Sequence, residues 1–131
     1  MSAPRRITNV SGLPEPRGPF ANVVVSEGPF LFVAGQGPFD PERGDYQRGS
    51  IAEQTRLTLE CIRRALLAGG SDPANVVSCR VFLQPLDPAT FAAMNTEYRK
   101  FFGSHVPART TIGAQLLGID VEIDCIASVI R

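Results

Sequence analysis

The sequence predicts an α+β fold in which a mixed β-sheet carries two helices packed on one face. Three observations predict it. Residues 50–70 and 87–103 carry apolar side chains at helical spacing between recognisable start and stop signals. The stretches around them contain runs of β-branched and aromatic residues of strand length. Their order, strand, strand, helix, strand, helix, strand, strand, suits helices layered on one face of a mixed sheet.

Taken in order, a short strand is expected near residues 5–8, within a peripheral N-terminal segment of residues 1–17. Asn22-Val23-Val24-Val25 and Phe30-Leu31-Phe32-Val33-Ala34, separated by Ser26-Glu27-Gly28-Pro29, read as a β-hairpin. Both parities of the second run are apolar. That strand should therefore be covered twice, once by its own helices and once by another subunit. Residues 36–49, with Gly37-Pro38, Asp40-Pro41 and Arg43-Gly44-Asp45, carry turn chemistry without periodicity and read as a surface loop.

Ser50 and Glu53 form a capping-box pattern, the hydroxyl accepting from the Glu53 amide and the carboxylate reaching back. Ile51, Thr55, Thr58, Leu59, Ile62 and Leu66 then share one helix face, while Glu60 and Arg64 on the other are placed for an i,i+4 ion pair. Gly69-Gly70 ends the helix. After the strand run Val76–Leu83, Asp87 and Pro88 supply an N-cap and a first-turn proline. Phe91, Met94, Asn95, Tyr98, Phe101 and Phe102 keep helical spacing until Gly103 and Pro107. Residues 109–116 and 119–130 read as strands around Leu117-Gly118. In the second, Asp120, Glu122 and Asp124 share a face, which belongs to water or a neighbouring subunit rather than to the helices.

The 131 residues, 44% of them apolar, suffice for a single domain over residues 1–131 with one core. Thirteen basic and thirteen acidic residues cancel, with no long run of like charge. Nucleic acid and membrane are therefore poor partners, and a nuclease reading is disfavoured with them. Cys61, Cys79 and Cys125 show no Cys-x-x-Cys spacing and no neighbouring histidine, so neither a disulfide framework nor a zinc site is expected. Without a leader-like apolar segment, a soluble, cytoplasmic protein is expected. Phosphate-binding glycine loops, Gly-x-Ser-x-Gly and His-Glu-x-x-His are all absent. His105, the single histidine, sits in the linker after the second helix and reads as solvated.

What remains is a polar pair, Arg109 in Pro107-Ala108-Arg109-Thr110-Thr111 and Glu122 in Val121-Glu122-Ile123-Asp124. If Leu117-Gly118 closes a two-residue hairpin, Arg109 opposes Ile126 and Glu122 opposes Gly113. The two then share a face about 13 Å apart, and each taken alone also fits a surface charge.

Gly18-Pro19-Phe20, Ala34-Gly35-Gln36 with Asp40-Pro41, Gln54-Thr55, Met94-Asn95 with Tyr98, Pro107-Ala108-Arg109-Thr110-Thr111 and Val121-Glu122-Ile123 together resemble the Rid family of reactive-intermediate deaminases. The resemblance runs from about Gly18 to the C-terminus. It implies a fold similar to bacillus-type chorismate mutase, a homotrimer with sites in the clefts between subunits, and hydrolysis of enamines and 2-imino acids to 2-keto acids and ammonia. It implies no cofactor and no metal. Carried onto this chain, it gives Arg109 the substrate carboxylate and Glu122 the attacking water and the departing nitrogen's proton. Thr111 would hold the substrate through its backbone amide, and Phe20, Gly35 and Asn95 would line the cleft. Two hydroxyls of the family pattern are missing here, where Phe20 stands for Tyr and Ala34 for Ser. Their loss keeps a second reading open, a trimeric binding protein holding small carboxylates without turnover.

Overall fold

The computed structural model describes residues 3–130. Its two long helices form where local signals place them. The first, α1 (Ile51–Ala68), is capped by the Ser50 hydroxyl on the Glu53 amide at 3.1 Å, and Gly69 closes it. The return half of the box is not made; the Glu53 carboxylate lies over Gly49 instead, where a Cβ would collide with it. The ion pair on the outer face is also one residue short of expectation, joining Glu60 to Arg63 at 3.0 Å rather than to Arg64. The second helix, α2 (Pro88–Phe102), has a complete reciprocal box between Asp87 and Thr90, and Gly103 ends it at φ 58°.

The strands are β1 (Arg5–Ile7), β2 (Val23–Val25), β3 (Phe30–Gln36), β4 (Phe39–Asp40), β5 (Asp45–Tyr46), β6 (Val76–Leu83), β7 (Ala108–Gly113) and β8 (Val121–Ser128). The main sheet runs β3-β8-β6-β7, with β6 and β7 parallel and the other pairs antiparallel. The α+β class with a mixed sheet and both helices on one face is as expected. The helices cover the side on which Val33, Val81, Leu83, Val121, Ile123 and Ala127 project, and Leu59, Ile62, Leu66, Met94, Tyr98 and Phe102 close the core over them. Cys79 and Cys125 are cross-strand neighbours in this core, both free and buried.

Three pairings differ from the sequence reading. β2 does not form a hairpin with β3 but pairs with β1, Arg6 opposite Val24. The Ser26–Pro29 connection is tied to the end of β8 by Ser26 on Ser128 and by Val129 on the Pro29 carbonyl, so the chain changes sheets there instead of folding back. Residues 36–49 are not wholly loop, since β4 and β5 form a small hairpin turning at Gly44, φ 69°.

The third difference matters most. β7 and β8 are not a hairpin, because β6 lies between them. Residues 114–120 arch over the end of β6, held by Ala114 on the Leu83 carbonyl, by Gln84 on the Asp120 carbonyl and by Leu116 on the Gln84 side chain. β7 pairs in parallel with β6 and is left as an edge strand.

Among the described residues no helix covers the far side of the sheet. Phe30 and Phe32 project there, Phe32 at 76% exposure, beside the half-buried Ile126 and the Arg80–Asp124 ion pair at 2.6 Å. Glu122 and Asp124 of the three-carboxylate run keep away from the helices as expected, but Asp120 does not, since its carboxylate accepts from the Gln54 side chain of α1 at 3.0 Å.

Candidate functional site

Register decides where the polar pair points. In β7 Arg109 lies beside Cys79 and Thr111 beside Val81, both core-facing, so Arg109 and Thr111 project toward the helices. In β8 Glu122 alternates with the core residues Val121 and Ile123 and stands opposite Phe82, so it projects to the bare side. Arg109 and Glu122 therefore occupy opposite faces. The shared face inferred from a β7–β8 hairpin is wrong, because the inserted strand removes the register on which it rested.

Around Arg109 the chain builds a half-pocket walled by aromatic rings. The guanidinium carbon lies 4.9 Å from the Tyr98 ring centre, 5.0 Å from Phe20 and 5.6 Å from Phe91, within cation–π range of all three. Its Nη1 faces the Met94 sulfur at 3.8 Å, while Nε and Nη2 are buried without any hydrogen-bond partner. None of the ion pairs among the described residues involves it. Burial pulls its pKa below the ordinary arginine value, yet a guanidinium stays charged at neutral pH. Asn95 Oδ1 and Thr111 Oγ1 are buried and unpartnered beside it.

Gly18 approaches this group so closely that a Cβ there would stand 2.8 Å from Arg109 Nη2 and 3.1 Å from the Asn95 amide nitrogen. A pocket of about 290 Å³ opens above, lined by Arg109, Thr111, Phe20, Phe91, Pro14 and Pro16. The unpartnered Nε and Nη2 of Arg109 and the Thr111 hydroxyl are donors suited to a planar anion.

The other half surrounds Glu122 on the bare face. β3 carries one extra residue between Val33 and Gln36 against β8, a bulge that contains Gly35. A Cβ on Gly35 would stand 2.5 Å from Glu122 Oε2, so only glycine leaves the carboxylate where it is. Gly35, Gly37, Tyr46, Ile119 and Glu122 line a second pocket of about 450 Å³. The start of β8 is fixed by Gln54, fully buried, whose amide bonds Asp120 through both its main-chain N–H at 2.8 Å and its carboxylate at 3.0 Å. Burial raises the Asp120 pKa, but the hydrogen bonds from Gln54 and Arg48 outweigh it and hold the carboxyl below its ordinary value.

Of the residues expected in one cleft, the structure brings together Arg109, Thr111, Phe20 and Asn95, and separately Glu122 and Gly35. Helical spacing places Phe91 and Tyr98 on α2, and only the fold shows that they flank the guanidinium. The 14–17 segment was read as peripheral; two of its prolines wall the Arg109 pocket. His105 contributes a backbone carbonyl to the Arg6 guanidinium, which also bonds the Val106 and Ala74 carbonyls and pins β1.

The family model described as endoribonuclease L-PSP matches residues 11–129. The chain belongs to that family. It is the Rid-like family to which the Pro107–Thr111 and Val121–Ile123 motifs pointed. A RutC family protein of Pyrococcus horikoshii is 40% identical over 116 residues, covering 87% of this chain and 90% of its own. The goat protein named 2-iminobutanoate/2-iminopropanoate deaminase is 33% identical over 125 residues, 94% of this chain and 89% of its own. The crystal structure of a Rid family protein from Yersinia pestis superposes with a TM-score of 0.86 at 26% identity, covering 98% of this chain and all of the other. Among the described residues no helix is long and apolar enough to cross a membrane.

Proposed function

We propose that this protein hydrolyses 2-imino acids and their enamine tautomers to 2-keto acids and ammonia, at sites completed between copies of the chain in a homotrimer. The observation that carries this reading is the buried Arg109 guanidinium with two N–H groups unpaired and no ion pair among the described residues. A family relative named as an imine deaminase supports it. An isolated buried charge costs stability, so its retention fits a ligand that supplies the missing carboxylate.

The chemistry needs two things at one carbon. Arg109, with Asn95 and Thr111 beside it, holds the substrate carboxylate and so orients the adjacent C=N bond. Glu122 accepts a proton from water as its oxygen bonds to the imine carbon, giving a carbinolamine. The same carboxyl returns that proton to the nitrogen, which has taken the former C=N pair; the carboxylate then carries the carbinolamine hydroxyl proton to the nitrogen in turn, the carbonyl forms, the C–N bond breaks, and ammonia leaves with the keto acid behind. Because Arg109 and Glu122 face opposite sides of one sheet, a single chain cannot offer both to one molecule. The bare Phe30, Phe32 and Ile126 stripe around the Glu122 half supports a second copy seated there, bringing its own Arg109 pocket against it.

The test generates 2-imino acids with an amino-acid oxidase and traps the survivors with semicarbazide. Faster loss of trapped imine than with the Arg109→Ala variant is the expected result. Equal loss overturns the deaminase reading. Light scattering should give three times 14.1 kDa; a single-chain mass at micromolar concentration overturns the shared site.

A further inference from the structure

We infer that the Arg109 pocket selects ligands whose side chain is a branched aliphatic or aromatic group, in preference to small or acidic ones. This rests on the proposed reading only in taking Arg109 as the carboxylate anchor. Once the carboxylate is on the guanidinium, the rest of the ligand meets the rings of Phe20 and Phe91 and the side chains of Pro14 and Pro16.

These walls are apolar, and three of them come from a single rigid stretch, Pro14-Glu15-Pro16-Arg17-Gly18-Pro19-Phe20, in which three prolines limit backbone freedom. The wall is therefore largely preformed. Its charged members, Glu15 and Arg17, are exposed at the rim. The pocket measures about 290 Å³. A pyruvate-sized ligand has about six heavy atoms and displaces at most about 180 Å³ of water, at about 30 Å³ per molecule. Room remains for about three or four carbons beyond the methyl group. A methyl leaves that apolar space to water, whereas an isobutyl group, three carbons larger, fills it, and a benzyl group, six carbons larger, fills it and extends to the open rim. With Arg109 already engaged, a second carboxylate finds there only Arg17, a solvent-exposed cation at the rim next to Glu15, and is otherwise stripped of water against the rings.

The test uses unreactive 2-keto acids as probes of the full-length protein, with binding read by calorimetry. 4-Methyl-2-oxopentanoate or phenylpyruvate should bind at least about tenfold more tightly than pyruvate and 2-oxoglutarate. Phe91→Ala should shrink that ratio to below about threefold, while Phe91→Leu, which restores an apolar wall, keeps most of it. Comparison of the two variants by circular dichroism separates loss of the wall from loss of the fold.

Equal affinities, tightest binding of pyruvate or 2-oxoglutarate, no binding of any probe at millimolar concentration, or an unchanged ratio in Phe91→Ala would each overturn the inference. Its failure is distinguishable from that of the deaminase reading. Imine hydrolysis accelerated without side-chain preference removes only the selectivity, whereas preferential keto-acid binding without accelerated hydrolysis removes only the enzyme.

Discussion

The two halves of the candidate site treat charge in opposite ways. Arg109 is enclosed by three aromatic rings and a thioether, with N–H groups that find no partner. Glu122 lines a pocket on the other face of the sheet, beside a glycine that leaves it room. The first half can seize an anion but has no group suited to moving a proton. The second can move a proton but has nothing to hold the substrate. Charge held in a low-dielectric setting binds strongly, and charge near water exchanges protons readily. A sheet that puts one on each face keeps the two environments from spoiling each other, at the cost of needing a second copy.

Arg109→Met separates binding from stability most sharply. Catalytic efficiency on imines should fall by about a thousandfold as the bidentate anchor is lost. Urea denaturation should show the variant as stable as the parent, or about 1 kcal/mol more so, because an apolar chain of similar length replaces an unpaired buried charge. A loss of more than about 2 kcal/mol would mean that the guanidinium supports the fold after all. Phe32→Asp addresses the opposite face. It should leave each chain folded, reduce the mass in solution to 14.1 kDa, and lower activity by at least about a hundredfold by parting the two halves. A monomer with full activity would dismiss the composite site.

Glu122→Gln should reduce kcat by about a hundredfold and leave keto-acid affinity within about threefold, the reverse of the Arg109 pattern. A matching loss of affinity would place Glu122 in binding instead. Gly35→Ala acts through the same carboxylate without removing it. The new methyl must displace Glu122, so kcat should fall by about tenfold while KM holds, and a wild-type rate would show that the carboxylate's position is not critical.

Both helices were legible in the sequence because their signals are local: Ser50 and Gly69 bracket one, Asp87, Pro88 and Gly103 the other. The core face of β8 was legible by its alternation, and Arg109, Thr111, Phe20 and Asn95 meet in space as their motifs implied. The neighbours of β7 were not legible. Leu117-Gly118 looks like a hairpin turn, and nothing nearby in sequence reveals that Leu83 and Gln84 capture the loop and insert β6 beneath it. A parallel pairing joins residues distant along the chain, and period-2 alternation is the same whichever strand lies alongside. The same blindness hid which face Arg109 takes, and with it the roles of Phe91 and Tyr98.

The smallest effect is expected at Asp120, which ties α1 to the start of β8 two residues before Glu122. Its carboxyl is held below the ordinary aspartate pKa in the folded protein, so its contribution to stability is complete above the unfolded value of about 4 and fades as pH falls through the folded value. Asp120→Asn keeps one acceptor but loses the charge that faces Arg48 and Gln54. The cost at pH 7 should be about 1 kcal/mol in urea denaturation, and the two proteins should converge as pH drops below about 4. Activity should change by less than about threefold, since Glu122 itself is held by the β8 ladder opposite Phe82 rather than by this clamp. A large drop in kcat at pH 7 with only a small loss of stability would instead make the Gln54–Asp120 clamp the element that aims Glu122, and the Glu122 half of the site would then be no less preorganised than the Arg109 half.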